Sequence, residues 1–323
     1  MAGQTELLQI FSRHLREILE EEVTDWESVQ EIRIRSGKPL IITLGNREYI
    51  AGERGRLVPG KSFSREQRGF IVSQKELEET MECAVRYSLY AFEDEVRQGF
   101  LTVAGGHRIG IAGRVVAEQG RVRTIKPITC LNIRVAHEVK GCGKSALPFL
   151  IDRDRRELYP TLLISPPCCG KTTLLRDIVR SISDGCGYMP GKTVGIVDER
   201  SEIAASFQGI AQNDIGMRSD VLDNCPKAEG MMMLIRSMAP QVVAVDEIGG
   251  REDLEALHYA VSCGCSLIAT VHGTSFEDVS GKPVLGRMLK EGMFQRIVIL
   301  SNRKGPGTIE RILDGEGNHV GTC

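Results

Sequence analysis

One segment narrows what this chain can become more than any other. The apolar run Leu162-Leu163-Ile164 leads into Ser165-Pro166-Pro167-Cys168-Cys169-Gly170-Lys171-Thr172-Thr173, after which Leu174, Leu175, Ile178, Val179 and Ile182 recur at the spacing of one buried helical face. Strand, glycine-bearing turn and helix in that order bring backbone N–H groups and the positive end of a helix to one point, a cradle for phosphate. Gly170 lets the main chain approach closely, the Lys171 ammonium reaches outer phosphates, and the Thr172 hydroxyl is a ligand for Mg²⁺. The pattern departs from G-x-x-x-x-G-K-[ST] at its first position, which is Ser165.

The surrounding sequence repeats the strand–helix rhythm. Leu162–Ile164, Val194–Val197, Val242–Val245, Leu267–Thr270 and Ile297–Leu300 are short apolar runs alternating with helical segments. That alternation predicts an α/β P-loop NTPase fold with a mostly parallel sheet. Three runs end in polar residues at the edge where open α/β sheets bind ligands. Val245 is followed by Asp246 and Glu247, Val197 by Asp198, Glu199 and Arg200, and Ala269 by Thr270, Val271 and His272. Downstream of a phosphate cradle, Asp246 is expected to hold the Mg²⁺ shell, Glu247 to polarise the attacking water, and His272 to sense the outer phosphate. No N-K-x-D or T-K-x-D guanine-reading motif follows, so ATP is the expected nucleotide.

Residues 1–140 read differently, as a smaller α+β domain. Leu7, Leu8, Phe11, Leu15, Ile18 and Leu19 mark one face of a helix over 5–22, which ends in Glu20-Glu21-Glu22 and is expected to pack on its own domain or a partner. Short strands are expected over 29–50. Ser73 and Glu76 form a capping box opening a helix with Leu77, Met81, Val85 and Leu89 inward. Hairpins follow: 100–104, a Gly105-Gly106 turn, 107–116, a turn near Gly120, and 122–125. Residues 141–157 are expected to link this domain to the nucleotide domain, 158–323, and 207–227 to form a long loop.

Composition excludes several alternatives. With 41 Lys and Arg against 43 Asp and Glu, a net charge of −2 is not that of a strongly basic nucleic-acid binder. No apolar run reaches the ~18 residues that cross a bilayer, so a cytoplasmic or peripherally attached chain is expected. The ten cysteines include no C-x-x-C pair, which argues for reduced thiols and against zinc.

Several blocks carry a resemblance over most of the chain: Gly105-Gly106-His107-Arg108-Ile109-Gly110, Asn132-Ile133-Arg134-Val135-Ala136, Asp198-Glu199-Arg200-Ser201-Glu202-Ile203-Ala204, Arg218–Leu222, and Leu234–Pro240 leading into Asp246-Glu247. The chain resembles the stage III sporulation AA family, ATPases of the mother-cell-to-forespore channel in endospore-forming bacteria, themselves similar to type II and type IV secretion ATPases. The resemblance implies an acidic box at Asp198, Glu199 and Glu202, a histidine box at Thr270 and His272, and a catalytic glutamate at Glu247. It also implies a hexameric ring with nucleotide between subunits, and an N-terminal domain moving against the ATPase domain. A membrane-protein partner would hold the ring, from the mother-cell cytoplasm, at the outer forespore membrane. Secretion ATPases commonly carry Gly at Asp246, and the sporulation family carries Gly at Ser165 and Cys168, where side chains strain the loop if φ is positive.

Phosphoryl transfer also calls for an arginine at the outer phosphate, often from a neighbouring subunit. Arg108, Arg114, Arg134, Arg200, Arg218 and Arg236 are candidates, and Arg134 and Arg236 rank first because each sits in a shared block. The basic residues between 108 and 134 suggest an alternative, an ATP-driven single-strand translocase or helicase. Such proteins interleave stacking aromatics, and aromatics make up 5% of this chain, so nucleic acid is the secondary reading.

Overall fold

The computed structural model describes residues 2–52, 56–63, 69–86 and 92–321. The chain divides into two compact units, one ending at His137 and the other beginning at Glu138.

The first unit is a seven-stranded antiparallel sheet with helices. Its strands are β1 (Val29–Arg35), β2 (Ile41–Leu44), β3 (Arg47–Ala51), β4 (Leu57–Pro59), β5 (Phe100–Thr102), β6 (Arg108–Glu118) and β7 (Arg121–Arg134), in the order β4-β3-β2-β1-β7-β6-β5. Ile32, Ile34, Ile42, Leu101, Ile109, Leu131 and Ile133 are buried in its core. The single helix expected over 5–22 is two: α1 (Ala2–Gln9) and α2 (Arg13–Glu22). The apolar face continues across the break, but the Arg16 guanidinium donates to the Leu8, Gln9 and Phe11 carbonyls, and the Ser12 N–H donates to Thr80 Oγ1. Those bonds replace the helical ladder there. The capping box is present on α3 (Gln74–Ala84), Glu76 N–H donating to Ser73 Oγ at 3.2 Å and Ser73 N–H to Glu76 Oε2 at 2.8 Å. Leu77, Met81 and Val85 are buried, while Leu89 lies outside the described residues. A further helix, α4 (Glu93–Gln98), precedes β5.

The second unit is built on an eight-stranded sheet. After α5 (Leu147–Leu150) and the short pair β8 (Ile151–Asp152) and β9 (Glu157–Leu158) come β10 (Thr161–Ser165), α6 (Lys171–Asp184) and another short pair, β11 (Gly185–Cys186) and β12 (Met189–Pro190). Then follow β13 (Val194–Asp198), β14 (Ser219–Asp223), α7 (Lys227–Met238), β15 (Val242–Val245), α8 (Arg251–Ser262), β16 (Ser266–His272), α9 (Phe276–Ser280), α10 (Pro283–Lys290), β17 (Arg296–Ser301), β18 (Thr308–Asp314) and β19 (His319–Gly321). The sheet order is β14-β13-β15-β16-β10-β17-β18-β19, parallel from β14 to β17 and antiparallel beyond. All five runs expected as strands are strands.

Alternate residues of each strand enter different layers, as a two-residue period requires. Leu162, Ile164, Val243, Val245 and Leu267 pack with Leu234, Leu257 and Met288 of α7, α8 and α10. Leu163, Ile196, Ala244, Ile268 and Val298 pack with Leu174, Leu175, Ile178, Val179 and Ile182 of α6. Each such side chain contributes ~1.5–3 kcal/mol of burial, so α6 is pinned to the sheet along its length.

The link 141–157 is packed: Leu147, Leu150 and Ile151 are buried, and the Gly141 and Gly143 N–H groups each donate to the Asp177 carboxylate at 2.8 Å. One expectation differs here. Within 207–227, residues 219–223 form the parallel edge strand β14. Among the described residues no helix is long and apolar enough to cross a membrane.

Candidate nucleotide site

The turn between β10 and α6 is shaped by its backbone. Ser165 closes β10, is fully buried, and donates through Oγ to the Pro166 carbonyl at 2.6 Å. Pro166 and Pro167 carry the chain outward, Cys168 is exposed, and Cys169 is buried. Gly170 caps α6 at φ 79°, and a Cβ there would lie 2.7 Å from the Gly307 nitrogen, so only glycine fits. The Gly307 N–H in turn donates to the Cys169 carbonyl at 2.7 Å. Cys168 also sits at a positive φ, 59°, without glycine's freedom. Ser165 does not, so of the two positions the condition for strain is met at Cys168 alone.

Lys171 and Thr172 open α6 and point at the ends of β15 and β16. The buried Lys171 ammonium lies 2.8 Å from Glu247 Oε1 and 3.7 Å from Asp246 Oδ1. The Thr172 hydroxyl donates to Asp246 Oδ2 at 2.7 Å, and the half-buried Thr173 follows. Because β15 and β16 pair with Val245 opposite Ala269, Asp246 falls beside Thr270. Thr270 Oγ1 donates to Asp246 Oδ1 and accepts the Glu247 N–H at 2.9 Å, while His272 Nε2 lies 2.8 Å from Glu247 Oε1. Glu247 adopts φ 56°, a non-glycine residue held in the left-handed region. Burial works against its ionisation, but Lys171, His272 and Arg200 outweigh it and hold the carboxyl below its ordinary range.

Among the described residues, Arg200 reaches this cluster, its Nη1 donating to Glu247 Oε2 at 3.0 Å. Arg200 is one of the six candidate arginines, and the signal for it is its place two residues after Asp198, which ends β13. Arg236 is exposed in the last turn of α7, 5.9 Å over the Tyr259 ring, and α7 begins beside Glu199 with Lys227 and runs about 13 Å away from it. Arg134 belongs to the first unit, exposed at the end of β7 and paired in register with Glu31 and Arg108.

The acidic stretch after β13 divides into two roles. The Asp198 carboxylate is turned inward and accepts the N–H groups of Glu202, Ile203 and Ala204 at 2.8–2.9 Å. Burial pushes its carboxyl up to about 6 against those three donors. Glu199 is ion-paired with Lys227. Together with Arg200, Glu202, Asp246 and Glu247, these residues line a small cavity between the ends of β13 and β15.

A parallel sheet with a Gly-Lys-Thr turn after β10, a histidine ending the neighbouring strand β16 and two carboxylates following the next, β15, defines the class, the P-loop NTPase fold of secretion ATPases. The solved structures it resembles agree. The Legionella pneumophila ATPase DotB superposes with a TM-score of 0.55 at 15% identity, over 88% of this chain and 75% of that one. The pilus retraction motor PilT with bound ADP superposes with a TM-score of 0.51 at 15% identity, over 91% and 77%. At that identity the likeness establishes the fold. Sequence establishes more: the family model for sporulation stage III, protein AA matches residues 1–320, so the chain belongs to that family. It is 42% identical over 294 residues to stage III sporulation protein AA of Bacillus subtilis (strain 168), covering 91% of this chain and 89% of that protein.

Proposed function

We propose that the second unit binds and hydrolyses ATP with Mg²⁺ to power a specialised secretion or channel complex between mother cell and forespore. One observation carries the chemistry: the Lys171 ammonium, the Thr172 hydroxyl and the Asp246 and Glu247 carboxylates converge at a single strand edge, within 2.7–2.8 Å at their closest. Lys171 exchanges its contact with Glu247 for the outer phosphates. Glu247, ionised and released from that ammonium, orients and polarises the attacking water, and His272 follows the change through Glu247. Thr172 and Asp246 present hard oxygen donors side by side, a set that fits Mg²⁺, and these two would hold it. When bound, the ion offsets charge on the phosphate oxygens.

Family membership supports the sporulation role, and the fold supports assembly as a homo-oligomer, a hexameric ring in which Arg134 or Arg236 reaches a neighbour's nucleotide. The ring would act from the mother-cell cytoplasm, held at the outer forespore membrane by a membrane-protein partner. Lys171→Ala tests the site directly, because it removes the charge at the outer phosphates. Binding of a fluorescent ATP analogue should be lost while the circular dichroism spectrum is kept, and unchanged binding would contradict the reading. ATPase rate per subunit should rise with protein concentration and ignore added single-stranded DNA. DNA stimulation would favour the translocase alternative.

A further inference from the structure

We infer that Arg176 is a positioning residue for hydrolysis: it locks the loop 199–204, and with it Arg200, to the helix that receives the phosphates. The inference rests on the ATPase reading above and adds a residue to it. Arg176 stands one turn beyond Thr172 on α6, about 6 Å along the axis. Its Nε donates to the Ile203 carbonyl and its Nη2 to the Glu202 carbonyl, each at 2.6 Å. The opposite side of the same peptides is held by Asp198, which accepts the Glu202, Ile203 and Ala204 N–H groups. The turn is therefore clamped between a guanidinium carried by α6 and a carboxylate carried by β13. Asn213 Nδ2 adds a second donor to the Ile203 carbonyl at 3.1 Å, and the Ala204 carbonyl accepts the Gln212 and Asn213 N–H groups at 3.0 Å. The loop emerging from this clamp carries Arg200, which touches Glu247 Oε2 at 3.0 Å. A shift of α6 on phosphate binding is thus passed to the guanidinium beside the water-activating carboxylate. The planar fork matters, because a lysine keeps the charge but cannot present two donors in fixed geometry to adjacent carbonyls.

The test compares kcat and KM for ATP in the wild-type chain, Arg176→Lys, Arg176→Met, Arg200→Met and the double variant Arg176→Met/Arg200→Met. Arg176→Met should lower kcat about tenfold to hundredfold with KM within about threefold, as for residues that orient a reacting group, and Arg176→Lys should recover part of the loss. The double variant should be no slower than the slower single, since Arg176 acts through Arg200. Losses that multiply, or that fall on KM, would overturn the inference. Hydrogen exchange supplies the independent reading: in Arg176→Lys, the amides of Glu202, Ile203 and Ala204 should exchange faster while those of α7 and α8 stay protected. Protection lost evenly across the unit would show that Arg176 serves the fold alone. A wild-type chain without ATPase activity would remove the parent reading, and the exchange pattern would still decide whether the clamp exists.

Discussion

Substituting glycine at Cys168 and at Ser165 should change stability in opposite directions, although both substitutions move the loop toward the same family pattern. Cys168 holds φ 59° with an exposed side chain, so its Cβ meets the left-handed penalty of about 1–2 kcal/mol and little packing is lost with it. Glycine removes that penalty and adds about 0.5–1 kcal/mol of unfolded-chain entropy, leaving a net gain between zero and about 1.5 kcal/mol. Ser165 is fully buried at the end of β10, in extended backbone, with its hydroxyl bonded to the Pro166 carbonyl at 2.6 Å. Glycine there gains no relief from strain, adds the same entropy and removes a hydrogen bond, for a loss of about 1–2 kcal/mol. In a unit of this size each kcal/mol moves the melting temperature by about 2–4 °C. Scanning calorimetry that follows the second unit's transition should therefore show Cys168→Gly unchanged or higher and Ser165→Gly lower. A Cys168→Gly loss equal to that of Ser165→Gly would refute the claim that strain in this loop is confined to Cys168.

The loop's two thiols should also separate chemically. Brief alkylation should label exposed Cys168 ahead of buried Cys169, block hydrolysis, and be prevented by Mg·ATP; peptide mapping that finds label spread evenly, or unaffected by nucleotide, counts against phosphate binding here. Asp177, with a side chain 1% exposed, accepts from Gly141, Gly143 and Arg180, so Asp177→Ala should destabilise the second unit by about 3 kcal/mol in urea titrations. Burial raises the Asp177 pKa, but those donors prevail and hold it below 3.8, so this stabilisation is complete above 3.8 and is lost as acid titrates through the lowered value. The wild-type advantage over Asp177→Ala should accordingly shrink only in strong acid, and an equal advantage at every pH would contradict the clamp.

The parts most legible in the sequence are those governed by short-range pattern. The strands at 162–164, 194–197, 242–245, 267–270 and 297–300 announce themselves because both of their faces are buried, leaving uninterrupted apolar runs. Lys171, Thr172, Asp246, Glu247 and His272 could be named because each follows such a run, and parallel pairing brings their ends to one edge. What escaped depends on tertiary partners. Strand β14 is an edge strand, Ser-Asp-Val-Leu-Asp, whose two carboxylates read as a polar loop until β13 pairs with it. The break between α1 and α2 lies under a continuous apolar face and is set by Arg16 and Thr80. The glycines at 141 and 143 read only as part of a link between domains, and nothing local shows that their N–H groups are anchored by Asp177, more than thirty residues on. Arg200 was one candidate among six, because which arginine reaches Glu247 depends on how Asp198 and Arg176 fold the loop.

Glu247→Gln in a steady-state ATPase assay paired with a Mg·ATP binding measurement reaches the central claim most directly. The amide keeps the size of the side chain and removes the charge that Lys171, His272 and Arg200 surround. Because binding rests on Lys171 and Thr172, affinity should stay within about threefold of wild type while turnover falls by about 10²-fold or more, the range for losing a general base. Near-normal turnover in Glu247→Gln would contradict the assignment of the water-activating carboxylate, and with it the account of this strand edge as a hydrolytic site.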